Sequence, residues 1–353
     1  MTPVLGRRAL NRATLERQML LRRTQISVTA AVEHLVGMQA QTPHTWYLGL
    51  WSRLAGFQPS DASALLESGS LVRIVLMRGT IHLVTPIDAA ALRPLVQPVL
   101  DRDLATNTLH SKPLAGLDFS SLAAVGESLL ASSAMTAKQL GSALSPHFPS
   151  CPPASLAYAI RNLLPLIQVP PRGLWGRSGP IAHRVLTASG TLSLPSLVLR
   201  YLGAFGPASV LDVQKWCGLT RLSSVMDELR PQLMVFRDSS GRELFDLPSS
   251  CRPDPETPAP VRFLYDFDNV LLSHADRSRV LTEDFYRQER PRRNFAPQVV
   301  LVDGFSAAEW SLSEGVLSVR PYRGLDWDSV AAEGLLMPGV ESVVFEGSAG
   351  FSA

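Results

Sequence analysis

The sequence predicts an α+β fold: three tandem winged helix-turn-helix units followed by a small C-terminal β-barrel. Three observations lead there. A pattern of short apolar-periodic helices followed by two short strands recurs three times before residue 250. Residues 248–260 then mark a composition shift, with five prolines among small and acidic residues. Beyond them come alternating or apolar strand-like runs interrupted by one helical pattern.

The first unit, residues 1–105, reads as helices over 10–21, 28–38, 46–54 and 61–67. Strands over 72–77 and 80–85 follow, turning at Arg78-Gly79. The second, 106–190, has helices over 117–131, 137–144 and 154–163, then strands over 166–169 and 181–187 around a Pro/Gly-rich loop. The third, 191–250, is the most legible. Its first helix, 194–204, stops at Gly206-Pro207; Ser209 caps a second, punctuated by Gly218, and Thr220 caps a third that Pro231 ends. Strands over 233–237 and 243–247 flank a turn in which Gly241 is available for positive φ. For the C-terminal unit, 261–353, strands are expected over 261–267, 298–302, 309–312, 316–321 and 341–346, with one helix over 327–336. Residues 277–293 carry six Arg and are expected on a loop at the rim of the barrel.

Composition narrows the function classes. Of 353 residues 46% are hydrophobic and 18% charged, so the chain is neither disordered nor fibrous. The 33 basic residues nearly balance 31 acidic ones, and the net charge of +2 does not announce a nucleic-acid binder. Only Lys112, Lys138 and Lys215 are lysines, a skew toward Arg that codon usage can produce but that also suits bidentate phosphate recognition. The Arg cluster at residues 7–23, at the first wing and at 277–293, which predicts a polarised molecule with a basic channel. Cys151, Cys217 and Cys251 form neither a disulfide framework nor a zinc site. With no signal-peptide pattern and no spanning-length apolar run, a cytoplasmic protein is expected.

Most catalytic signatures are missing. Seven His never fall at metal-ligand spacing, and no nucleophile elbow, phosphate loop or dinucleotide fingerprint occurs, so no metal or cofactor is expected. Asp266-Phe-Asp268 mimics an aspartyl-phosphate phosphatase motif. Too little chain follows for the doubly wound sheet that chemistry needs, and two Asp holding a turn at a strand end are the simpler reading. What remains is Gly37-Met-Gln39-Ala-Gln41-Thr-Pro43. Pro43 stops the second helix, which places Gln39 and Gln41 at a helix-to-loop exit. Two amides there either cap the helix as ordinary polar residues or orient one water.

Residues 37–54 (GMQAQTPHTWYLGLWSRL), 76–84 (LMRGTIHLV), 267–280 (FDNVLLSHADRSRV) and 300–310 (VLVDGFSAAEW) together resemble the AlkZ/AlkX-type winged-helix DNA glycosylases. The likeness runs from about residue 7 to 346, with the four segments in order. It implies winged helices and a β-barrel around a DNA channel, acting without a snug base-flipping pocket. The family's catalytic Gln-x-Gln or Gln-x-Asp element maps onto Gln39 and Gln41, so this chain has the Gln-x-Gln form and no carboxylate base at that position. That branch groups with self-resistance enzymes against genotoxic natural products.

The expectation is therefore a monofunctional DNA glycosylase acting on cationic N7-alkylated purines, with Gln39 and Gln41 positioning the water. Its partner would be double-stranded DNA carrying alkyl adducts, including bulky adducts or interstrand crosslinks, and the protein would act as a monomer away from membranes. No lysine is expected near the motif to form a Schiff base. Arg78 and His82 at the first wing, and Arg277, Arg279, Arg292 and Arg293, are candidate DNA contacts, against a wing stabilised by cross-strand pairs and a solvated loop. Trp46 and Trp51 read as core. The competing class is a non-catalytic winged-helix regulator.

Overall fold

The computed structural model describes residues 2–288 and 297–346. Three sheets organise it. A six-stranded sheet runs Met38–Gln39, Ile81–Val84, Val72–Val75, Leu166–Gln168, Ala182–Val185 and Met135–Thr136 in spatial order. The hairpin of residues 72–84 and that of 166–185 are thus continuous, joined antiparallel where Arg73 faces Gln168 and Ile74 faces Ile167. A three-stranded sheet pairs Val4–Leu5, parallel, with Met234–Asp238, which in turn pairs with Glu243–Asp246.

The C-terminal strands do not close into a barrel. Arg262–Leu264, Val299–Val302, Phe305–Ser313, Val316–Pro321 and Ser342–Phe345 form an open sheet in that order, and its first and last strands are two separate edges. Two physical reasons explain the correction. The last strand arrives through the helix Trp327–Gly334 and pairs parallel to Val316–Pro321, so it lies on the far edge. The sheet also has a partner for its apolar face: Phe263, Val300, Trp310, Leu317 and Val319 share one core cluster with Trp46, Tyr47 and Leu50 of helix Trp46–Trp51. Alternation in the sequence shows that one face is buried and not what buries it; a helix does here what closure would do otherwise.

Ion pairs tie distant segments of the chain together. The N-terminal helix Arg7–Arg17 sends Arg17 to Asp246 in a bidentate pair at 2.7 and 2.8 Å, and Arg8 and Arg12 both reach Asp303. Arg53 pairs with Asp268 at 2.8 and 2.9 Å, both side chains fully buried. Of the six Arg between residues 7 and 23, Arg12 and Arg17 therefore face inward. In the stretch 277–293, expected as a loop, residues Glu283–Gln288 form a helix on which Arg287 pairs with Glu283 and Asp284; 289–296 lie outside the described residues. Among the described residues, no helix is long and apolar enough to cross a membrane.

Candidate active site

The second helix ends earlier than the sequence predicts, and this sets the geometry of the Gln-x-Gln segment. Helix Val28–His34 is capped by Ser27 and gives way to Val36 and Gly37, both at positive φ. Only glycine suits position 37: φ is +90°, and a Cβ there would sit 2.6 Å from Val84 Cγ1. The reversal turns the chain into the edge strand Met38–Gln39, antiparallel to Ile81–Val84 with Gln39 opposite His82. Gln39 and Gln41 thus leave a strand rather than a helix. Gln39 is buried at the end of the strand, and Gln41 is exposed in the bend that follows.

Two donors fix the amide orientations. Gln39 is buried, and its Oε1 accepts from Arg78 Nη2. Gln41 is exposed, and its Oε1 accepts from the backbone N–H of Ile81 at 3.2 Å. Reversing either amide would set an N–H against an N–H, so in each amide the oxygen faces its donor. The backbone of the segment is held as closely. Arg73 Nη2 donates to Ala40 O at 2.8 Å, Tyr265 OH to Gln39 O at 3.0 Å, and Asn269 Nδ2 to Gly37 O at 2.8 Å. Thr42 donates its hydroxyl to Asp266.

Arg78 sits in the turn Met77–Gly79 at φ +57°, and besides Gln39 it donates to Trp216 O. Burial lowers its guanidinium to about 10, and its hydrogen-bond acceptors are the neutral oxygens of Gln39 and Trp216. His82 is buried; desolvation, with Arg78 adding to it, pushes it down to about 3, so it is neutral at physiological pH and carries no charge for a phosphate. Arg279 is 5% exposed and donates to Pro207 O at 3.0 Å and Thr14 Oγ1 at 3.3 Å, a place inside the protein. Arg277 is half-buried at the surface, and Arg292 and Arg293 lie outside the described residues. Trp46 and Trp51 are core.

Gln41 opens on a cavity of about 760 Å³ that Arg73, Lys138, Arg161 and Arg172 line, with no carboxylate among its lining residues. Lys138 borders the same space. Sequence reading missed Arg73, Tyr265 and Asn269. The segment 265–269 stood in plain view as the false phosphatase motif; Asp268 caps the helix Asn269–Leu272 and pairs with Arg53, while its neighbours hold the Gln segment.

The family model described as DNA glycosylase AlkZ-like matches residues 32–336. The chain belongs to the AlkZ-like DNA glycosylase family. It is similar to the interstrand DNA cross-link repair glycosylase of Streptomyces sahachiroi, 24% identical over 341 residues that cover 87% of this chain and 88% of that protein. The solved structure of Streptomyces sahachiroi DNA glycosylase AlkZ superposes with a TM-score of 0.82 at 22% identity, covering 97% of this chain and all of that one. Membership makes the protein an enzyme of DNA repair and sets aside the regulator and the phosphatase.

Proposed function

We propose that this AlkZ-like DNA glycosylase hydrolyses the N-glycosidic bond of cationic N7-alkylated purines in duplex DNA, with Gln39 and Gln41 orienting the water. The observation that supports it is the fixed orientation of the two amides. Gln39 Nε2–H donates to one lone pair of the water, while Gln41 Oε1, which has a lone pair beyond the one Ile81 uses, accepts one of its protons. The second lone pair of the water is left to attack C1′. The C1′–N9 bond breaks with its electrons passing to the cationic purine, which leaves as a neutral base. The water's extra proton passes to solvent.

So good a leaving group needs little general acid, and positioning supplies most of the catalysis. Neutral glutamines abstract no proton strongly, which spares undamaged guanine. Crosslinked N7 adducts, as the name of the Streptomyces relative suggests, fall within the same chemistry. Arg277, with Arg292 and Arg293, is proposed to meet phosphate, whereas Arg78 and Arg279 serve from inside. The division into units at 1–105, 106–190, 191–250 and 261–353, and a monomeric state, belong to the same proposal.

The test is a duplex with one N7-methylguanine. Incubation followed by alkali should give a strand break at the lesion, with no break before alkali and no borohydride-trapped adduct on Lys138. Intact DNA after alkali would overturn the glycosylase reading, and borohydride trapping would overturn the monofunctional one.

A further inference from the structure

The two glutamines are held in different ways. Gln39 is buried and gripped directly by Arg78, whereas Gln41 is exposed and meets the Ile81 N–H. The place of Gln41 therefore depends on the backbone to either side of it. On one side Arg73 donates to Ala40 O at 2.8 Å; on the other the Thr42 hydroxyl donates to Asp266 Oδ2. Pro43 confines Thr42 to extended conformations, and Trp46 Nε1 donates to Pro43 O at 2.8 Å. Residues 265–269 thus touch the motif three times, through Tyr265 on Gln39 O, Asn269 on Gly37 O and Asp266 on Thr42. Of these three contacts Asp266 alone brings a carboxylate. The turn that presents it is strained, since Phe267 stands at φ +59°.

A neutral acceptor would take the Thr42 hydroxyl with no charge to bury. Among the described residues none forms an ion pair with Asp266, and its Oδ1 is shut from solvent without a donor. With Thr42 and Thr45 it lines a cavity of about 390 Å³. The charged groups that face it there are Glu309 and Arg320, which pair with each other, and Glu346. Tyr265 beside it is buried, and His44 on the Thr42 loop meets Arg177 O. Burial pushes the Asp266 carboxyl above its usual value, and the Thr42 bond brings it only part of the way back. A carboxylate only accepts, so ionised Asp266 fixes the Thr42 hydroxyl as a donor, in a charge-assisted bond about twice as strong as a neutral one. Once Asp266 is protonated, two O–H groups compete for the direction of the bond and that advantage is lost. We propose that Asp266 is a positioning residue for the reaction: ionised, it anchors Thr42 and so holds Gln41 where the water needs it. This deepens the glycosylase reading above and rests on it for the reaction that Gln41 serves.

Asp266→Asn has the size of the protonated acid, and Asp266→Glu keeps the charge. Single-turnover excision of N7-methylguanine, corrected for spontaneous loss, reads the role as a function of pH. The unmodified protein should lose rate as pH falls through the raised Asp266 value. Near pH 7.5 Asp266→Asn should be slower by about fivefold or more, with DNA affinity held within about twofold, and it should lack that acid limb. Asp266→Glu should recover part of the rate and keep the limb, as should Glu309→Gln and Glu346→Gln. Amide exchange reads the geometry without any reaction, because the Ile81 N–H is bonded to Gln41 Oε1. Its protection should fall by about fivefold in Asp266→Asn at neutral pH and match the unmodified protein at the acid end. An Asp266→Asn variant that is as fast as the unmodified protein at pH 7.5, or slower but with the acid limb intact, would overturn the proposal, and so would unchanged Ile81 protection. An unmodified protein that excises nothing would instead defeat the glycosylase reading, and Ile81 exchange would still decide whether Asp266 holds Gln41.

Discussion

At the scale of single residues, the chemistry rests on which atoms are already occupied. Arg78 and the Ile81 N–H each take one lone pair of a glutamine carbonyl, which leaves the amide N–H groups and the second lone pair of Gln41 Oε1 for the water. Replacing Gln39 or Gln41 with Ala should each lower the single-turnover rate on N7-methylguanine DNA by about 10²–10³, the range for removing one positioned catalytic donor. In the proposed mechanism Arg78 acts through Gln39, whose Oε1 it holds. Arg78→Met should lower kcat with little change in KM, and Arg78→Lys should recover part of the loss; a change in KM alone would mean that Arg78 binds DNA instead. Gln39 and Gln41 were legible in the sequence through the family resemblance. Their supporters were not: Arg73, Tyr265 and Asn269 are ordinary residues whose roles exist only once distant segments meet.

At the scale of elements, the six-stranded sheet holds two histidines uncharged. Burial is the main cause for both, lowering His82 on strand Ile81–Val84 to about 3 and His183 on strand Ala182–Val185 to about 4. In the unfolded chain both take a proton near pH 6.5. The unfolded state therefore binds more protons than the folded one between that pH and the folded values, and stability present above about 6.5 is lost as pH falls toward 4. Urea midpoints should drop between pH 7 and 5, and His82→Phe should flatten the slope; a midpoint independent of pH would contradict the burial. Elements were the most readable level of the sequence. The turn at Arg78-Gly79, the caps at Ser209 and Gly218 and the hairpin through Gly241 are present. The second helix was read too long because Val36, a β-branched residue at φ +54°, gives no sequence sign that it reverses the chain.

At the scale of the whole molecule, part of the Arg complement is spent inside. Arg17 with Asp246 and Arg53 with Asp268 join segments more than 200 residues apart, which composition cannot reveal. The open C-terminal sheet has the same origin, because the helix that covers it lies far away in sequence. Asp246→Ala leaves Arg17 buried without its carboxylate and should cost about 3–5 kcal/mol in urea unfolding. A loss under about 1 kcal/mol would show the pair to be solvated. Positioning of the glutamines depends on this frame, since Tyr265 and Asn269 reach them from beyond the buried pairs. The most direct measurement is single-turnover excision of N7-methylguanine from a duplex by the unmodified protein and by the Gln39→Ala/Gln41→Ala variant. Alkali-sensitive sites should form with the first and fall by at least about a hundredfold with the second, at unchanged DNA affinity; equal rates for the two proteins would contradict a role for the glutamines in holding the water.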